Sequence, residues 1–433
     1  MKILVPSSVL PSQKNKLVTY AANIKDSLAK KTTIELVWLI CQPDRISNSI
    51  YDSDTIIDIH NFDDAVKALE NIKPDYVLAN NNSREPLSYS FSLAAKYLKI
   101  PLIYYSLNDL APVLGSGPYK NYWENLSILL KRFFANKVPT DSEDQKKFMR
   151  RGRFFVFKNI FLMKTRIKTG VNTIKAIKEL LRDLSLYFLY KKPIWNKLAD
   201  VNLCSNQELY DFWTSIGIDR KKIAMTGSPF WDKIFQQVTT RKEKQKKKSD
   251  KIRVLLVTGG MVEHGLWTAK QRETYLKKIF RELEKDKRIT FAIKIHPASE
   301  SFLFYKEFLK KLILNIPIYQ HENLLDIMYD YDIILSYGSS SIHTECAYGG
   351  IKMILLDVGW NYKRFALVEE ARISGYFVVC TRFEDLVKHV HELNNKEVKF
   401  SPELIKAREK IAYKFDGKAG ERVTDTILEI LKK

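Results

Sequence analysis

The sequence predicts an α/β protein made of two open parallel sheets. Three observations carry this. Short apolar, β-branched runs alternate with helical patterns through both halves, at the spacing of βαβ units. A charged run without core residues, Arg241–Lys251, separates the two sets and reads as a solvated linker. The chain has 433 residues, enough for two domains, and its 45% hydrophobic and 28% charged content is that of a globular protein rather than a disordered one.

The elements follow in order. Lys2–Val5 reads as a first strand, Ser12–Lys30 as a helix and Thr33–Cys41 as a second strand. Phe62–Asn71 is helical with Asn61 as its expected N-cap, Asp75–Ala79 a strand, Leu87–Leu98 an apolar helix and Ile100–Tyr105 another strand. Tyr122–Pro193 interrupts the alternation with a basic, Phe-rich insert in which Val171–Tyr190 has helical periodicity. Val201–Cys204, Asn206–Ile216 and Lys222–Met225 resume it. After the linker, strands are expected at Ile252–Val257, Thr290–Ile295, Asp332–Leu335, Lys352–Leu356 and Tyr376–Val379. Helices lie between them at Leu266–Leu283, Phe302–Leu312, Leu324–Tyr329, Ile342–Tyr348, Phe365–Ile373 and Glu384–Leu393, and Pro402–Lys433 holds one or two more. The expected domains are therefore 1–240, with the insert at about 122–193, and 252–433.

The formal charge of +21 suits an anionic partner: nucleic acid, membrane phosphate or a phosphorylated substrate. Cys41, Cys204, Cys346 and Cys380 are widely spaced, without a CxxC pair, and read as reduced thiols of a cytosolic protein rather than a zinc site. The opening residues read as a strand rather than a signal peptide, and no apolar run is long enough to span a bilayer.

Ligands of open parallel sheets bind beyond the carboxyl ends of the strands, so the loops there carry the chemistry. Thr258-Gly259-Gly260 follows an apolar strand, where glycine lets backbone approach a ligand and the next helix offers free N–H groups. Lys294-Ile295-His296-Pro297 ends another strand; proline stops it where an imidazole able to donate to a phosphate or assist as an acid emerges. In Tyr337-Gly338-Ser339-Ser340-Ser341, hydroxyl residues precede a helix start, a setting for an anion. Glu345, a turn further on, can accept from ribose hydroxyls.

The order of these motifs, followed by Gly349-Gly350-Ile351-Lys352, resembles the C-terminal domain of GT-B enzymes: two Rossmann-like parallel-sheet domains facing a central cleft. It is most similar to the group of bacterial sialyl- and Kdo-transferases, CDP-glycerol glycerophosphotransferases and UDP-GlcNAc 2-epimerases. In the N-terminal half, Lys73-Pro74-Asp75, Ala94-Ala95 and Ile100-Pro101 resemble the run before the epimerase active site, and Met225-Thr226-Gly227-Ser228-Pro229 the segment leading to the hinge. The resemblance implies that His296, Ser339 and Ser340 meet a donor phosphate and Glu345 its ribose. Gly259, Gly260, His264, Pro297, Gly338 and Ser341 join that donor site, and Glu263 flanks it.

Two departures count against epimerisation. Ser106 stands where the epimerases carry a glutamate, and Gly259-Gly260-Met261-Val262-Glu263-His264 replaces their arginine-rich stretch. The sequence reading is accordingly a glycosyltransferase. It moves a sugar from a nucleotide donor, such as a CMP-linked acidic sugar, to a glycan or lipid-linked acceptor in surface polysaccharide or glycoconjugate synthesis. Asp109 and Glu85, after strands of the first half, are the candidate bases; Pro6-Ser7-Ser8 is a further loop able to touch substrate. No cofactor or metal is expected beyond the nucleotide sugar itself. Basic residues beside Phe154, Phe155, Phe157, Phe161 and Leu186–Tyr190 suit either an anionic membrane surface at 150–192 or a helical hairpin packed on the N-terminal domain with solvated lysines; the enzyme is expected in the cytoplasm or, on the first reading, at the inner face of the cell membrane. The alternatives are CDP-glycerol or polyol-phosphate transfer, a UDP-GlcNAc 2-epimerase, a non-catalytic scaffold and a nucleic-acid-binding protein. The last lacks any stacking, helix-turn-helix or zinc-finger pattern.

Overall fold

The structure is a computed structural model. It describes residues 1–7, 16–40, 54–80, 86–106, 151–189, 197–243, 250–263, 267–296, 300–337, 342–357, 366–399 and 401–431. The chain forms two compact units. The first takes its described residues from 1–106, 151–232 and 410–431, and the second from 233–409.

The first unit runs β1 (Lys2–Ser7), α1 (Lys16–Ala29), β2 (Glu35–Ile40), β3 (Thr55–Asp58), α2 (Ala65–Ile72), β4 (Tyr76–Asn80), α3 (Pro86–Leu98), β5 (Leu102–Tyr105), α4 (Arg151–Lys168), α5 (Thr173–Leu189), β6 (Val201–Cys204), α6 (Gln207–Ser215), β7 (Ile223–Met225) and the start of α7 (Phe230–Glu243), which it holds as far as Asp232. Its seven strands are ordered β3-β2-β1-β4-β5-β6-β7, with every pairing parallel. Successive residues of a strand serve opposite faces. Leu4, Val77 and Tyr104 pack with Leu69, Phe91 and Phe161 on one side, while Ile3, Val5, Leu78 and Tyr105 pack with Ile24 and Trp38 on the other. Burial on both faces is why these strands read as unbroken apolar runs.

Local chemistry sets the helix starts. Asp64, not Asn61, caps α2: its carboxylate accepts from the Lys67 N–H at 3.0 Å, and Ile59–Asn61 is a separate 3₁₀ turn capped by Asp58. The basic insert supplies α4 and α5, whose residues 151–189 are described; α4 lies against α2 and α3 and sends Phe161 into the core.

The second unit runs β8 (Ile252–Val257), α8 (Ala269–Glu284), β9 (Ile289–Lys294), α9 (Phe302–Lys311), β10 (Ile318–Tyr319), α10 (Leu324–Ile327), β11 (Ile333–Tyr337), α11 (Ile342–Gly349), β12 (Met353–Leu356), α12 (Ala366–Ile373), β13 (Phe377–Cys380), α13 (Leu386–Asn395) and α14 (Pro402–Ala412), which the unit holds as far as Glu409. Its strands are ordered β10-β9-β8-β11-β12-β13, again all parallel. The chain builds outward from β8 through β9 to β10, then crosses to β11 on the other side of β8. The β8/β11 boundary is thus the switch point of the sheet.

The last helix, α15 (Ala419–Leu431), belongs to the first unit, not to the second half where its sequence position put it. Val423 and Ile427 complete the core around Ile3, Val5 and Ile24, and the Asp232 carboxylate accepts from the N–H groups of Ala419 at 3.1 Å and Gly420 at 2.8 Å. The expected linker also shifts: α7 reaches Glu243, and 244–249 lie outside the described residues.

Candidate functional site

The carboxyl ends of β8, β9 and β11 meet in one buried polar cluster. Thr258 leaves β8 and donates from its N–H to the Lys294 carbonyl at 3.0 Å, closing β8 against the end of β9. Its hydroxyl donates to the carboxylate of Glu300. The same Glu300 oxygen accepts the His296 N–H at 2.7 Å, and its other oxygen accepts the Tyr305 hydroxyl at 2.6 Å. Tyr305 is hydrogen-bonded to Tyr337, the last residue of β11. Glu300 is 2% exposed, so a carboxylate taken out of water is met here by donors from β8, the β9 loop and α9. Burial, then the charge of Glu300, holds the Tyr305 and Tyr337 phenols well above their ordinary range, and both stay neutral.

A second buried pair adjoins it. Arg272 of α8 donates to Glu263 at 2.7 Å, with side chains 8% and 12% exposed, and its guanidinium lies over the Phe304 ring at 3.8 Å from the centroid. Burial, then the nearby Glu300, raises the Glu263 carboxyl. Lys294 is buried too, and its ammonium donates to the carbonyls of Ile295 and Gln320 at 3.0 Å each.

The glycines of this edge have separate reasons. Gly260 has φ of +61°, a left-handed backbone that a side chain disfavours. Gly259 has ordinary φ, and a Cβ there would lie 3.6 Å from the Tyr337 carbonyl oxygen across the switch point. On the far side, Glu345 lies in the first turn of α11 and is 5% exposed. Burial pushes the neighbouring His343 down to about 4, and burial, then Glu345, pushes the Cys346 thiol well above its usual range.

Of the residues singled out in the sequence, the structure places Gly259, Gly260 and Glu263 after β8, half-buried His296 after β9 and Glu345 in α11. His264, Pro297, Gly338, Ser339, Ser340 and Ser341 lie outside the described residues, as do Glu85 and Asp109. Sequence reasoning missed Glu300, Tyr305 and Arg272. Glu300 carried one signal: a carboxylate four residues beyond a strand-end histidine, just before the Ser301 N-cap of α9. Cys204, Cys346 and Cys380 are buried free thiols. Among the described residues, no group of His, Cys, Asp and Glu side chains is arranged to hold a metal ion, and no helix is long and apolar enough to cross a membrane.

A family model described as UDP-N-acetylglucosamine 2-epimerase matches residues 193–428. Among solved structures, the chain is similar to the UDP-GlcNAc 2-epimerase of Methanocaldococcus jannaschii, with 15% identity, 99% of this chain and 100% of that one covered, and a TM-score of 0.56. The same enzyme in complex with UDP-GlcNAc and UDP aligns at 15% identity over the same shares with a TM-score of 0.53. The Neisseria meningitidis UDP-GlcNAc 2-epimerase bound to UDP-GlcNAc aligns at 16% identity over 99% and 100%, with a TM-score of 0.52. No match was found among curated proteins. These structural likenesses support the two-sheet fold of the GT-B type. The family match overturns the sugar-transfer reaction read from the sequence in favour of its epimerase alternative. It spans the three strand-end motifs of the second unit on which the donor site was read, Thr258–Gly260, Lys294–Pro297 and Tyr337–Glu345.

Proposed function

The chain belongs to the UDP-N-acetylglucosamine 2-epimerase family, and we propose that it inverts the configuration at C2 of a UDP-linked N-acetylhexosamine. The observation that carries this reading is the family match over 193–428, which takes in the strand-end cluster of Thr258, His296 and Glu300 and also Glu345 in α11.

The nucleotide is assigned to the switch point of the second sheet. Gly259 and Gly260 let backbone approach it, with His264 and Pro297 alongside. His296 and the run Gly338-Ser339-Ser340-Ser341, at the entry to α11, take the phosphates. Glu345 takes the ribose hydroxyls. These contacts hold the sugar while its C2 hydrogen is exchanged.

Inversion at C2 removes a proton from one face and returns one to the other, with no net oxidation, so groups able to move a proton must reach both sides. Ser106 follows β5 where the family's carboxylate is expected and is a poor base. Asp109 and Glu85, which follow β5 and β4 in the sequence, are the carboxylates proposed for that work.

The test is incubation with UDP-GlcNAc in D₂O, followed by proton NMR. The expected result is the 2-epimer of the sugar, with deuterium entering at C2. A chain that binds UDP-GlcNAc yet returns it unchanged and undeuterated would sink the reading.

A further inference from the structure

Helix α5 turns its acids inward. The Arg166 side chain of α4, 2% exposed, is held between Glu179, Nε to Oε2 3.0 Å, and Asp183, Nη2 to Oδ2 2.6 Å. These are the only acids in the α5 sequence. With both drawn toward α4, the outward side carries Ile174, Ile177 and Leu181, 66%, 44% and 61% exposed, beside exposed Lys175, Lys178 and Arg182. Arg182 also reaches Asp183, at 3.2 Å. At 3.6 residues per turn the three aliphatic residues fall within about a sixth of the helix circumference, and the three bases fill about the next sixth. The α4 sequence holds no acid and, besides the enclosed Arg166, five further bases.

We propose that this face of α5 docks on an anionic lipid surface. An exposed aliphatic stripe edged by cations is what an interfacial helix presents: the aliphatic groups enter the acyl boundary while the lysine stems reach back to the headgroup phosphates. A protein partner fits less well. Lysine is depleted at protein interfaces, and their anchors are mostly Trp, Tyr and Arg, whereas the apolar residues here are branched aliphatics without a hydrogen-bonding group. The formal charge of +21 supplies the long-range attraction to such a surface.

The experiment is co-sedimentation of the full chain with vesicles of phosphatidylcholine alone and of phosphatidylcholine with phosphatidylglycerol, at low and high salt. The wild type is expected to bind only the anionic vesicles, and less at high salt. Two variants locate the contact: I174Q/I177Q/L181Q and K175E/K178E, each checked for unchanged circular dichroism. Each is expected to lower partitioning by roughly tenfold or more. Failure of the wild type to bind anionic vesicles at low salt, or binding by both variants equal to wild type, would overturn the proposal. Sedimentation velocity covers the other occupant: a dimer dissolved by the triple variant would assign the face to a second copy and equally overturn it.

Discussion

The peptide N–H of His296 donates to the Glu300 carboxylate across 2.7 Å, and the Glu300 N–H points back at the His296 carbonyl at 3.4 Å. The loop leaving β9 is closed on itself by this exchange, and Thr258 and Tyr305 bind the same carboxylate. Where His296 stands relative to β8 therefore depends on Glu300. Glu300→Ala should weaken UDP binding about tenfold or more, the range of a lost charge-assisted hydrogen bond, and Glu300→Gln should weaken it less. Titration calorimetry checks this. If Glu300 acts by placing His296, Glu300→Ala adds little to a His296→Ala background, whereas independent roles would give additive losses.

The Glu263–Arg272 pair is buried on both sides. Glu263→Gln leaves the guanidinium charge without its counter-ion and should cost about 3 kcal/mol of stability in urea unfolding. Replacing both, as Glu263→Gln with Arg272→Met, should recover part of that loss. A double variant as unstable as the single one would mean that the pair is not the cause.

The two adjacent glycines separate folding from binding. Gly260→Ala forces a Cβ onto a backbone at φ +61° and should lower stability by about 1–2 kcal/mol. Gly259→Ala meets the Tyr337 carbonyl only at 3.6 Å and should fold normally while losing nucleotide affinity. Thermal unfolding and calorimetry on the pair read the two effects apart; equal behaviour of the variants would contradict this assignment.

Burial holds His343 at about 4, below its ordinary 6.5, so the folded chain takes up its proton later than the unfolded chain as pH falls. The stability contribution is fully present above 6.5 and is lost between 6.5 and 4. From pH 7.5 to pH 5 it should fall by about 2 kcal/mol. Urea unfolding at both pH values, for wild type and His343→Gln, checks this: the variant should lose that much less. A variant with the wild-type pH slope would clear His343.

Much of the fold was legible without coordinates because its signals are local. A parallel strand buried on both faces is an unbroken apolar run, as in Ile252–Val257, and a residue such as His296 declares itself by following one. The short edge strands Thr55–Asp58 and Ile318–Tyr319 were missed because neither contains a buried residue, and each offers only two apolar residues in a row. The reaction was misread for a related reason: glycine, histidine and serine motifs after strands suit a phosphate site in general, and that expectation does not separate a transferase from an epimerase.

The sequence by itself determined the two sets of βα units, their parallel character and which loops follow the strand ends. Only the tertiary structure decided that β8 lies between β9 and β11, that Asp232 draws α15 back onto the first sheet, that Glu300 fastens His296 to Thr258, and that Arg166 turns the acids of α5 inward. The physical reason is the range of each effect. Burial period and turn chemistry act over a few neighbouring residues and are written into the order of the chain. A hydrogen bond or an ion pair between distant residues exists only once packing has removed the water between them.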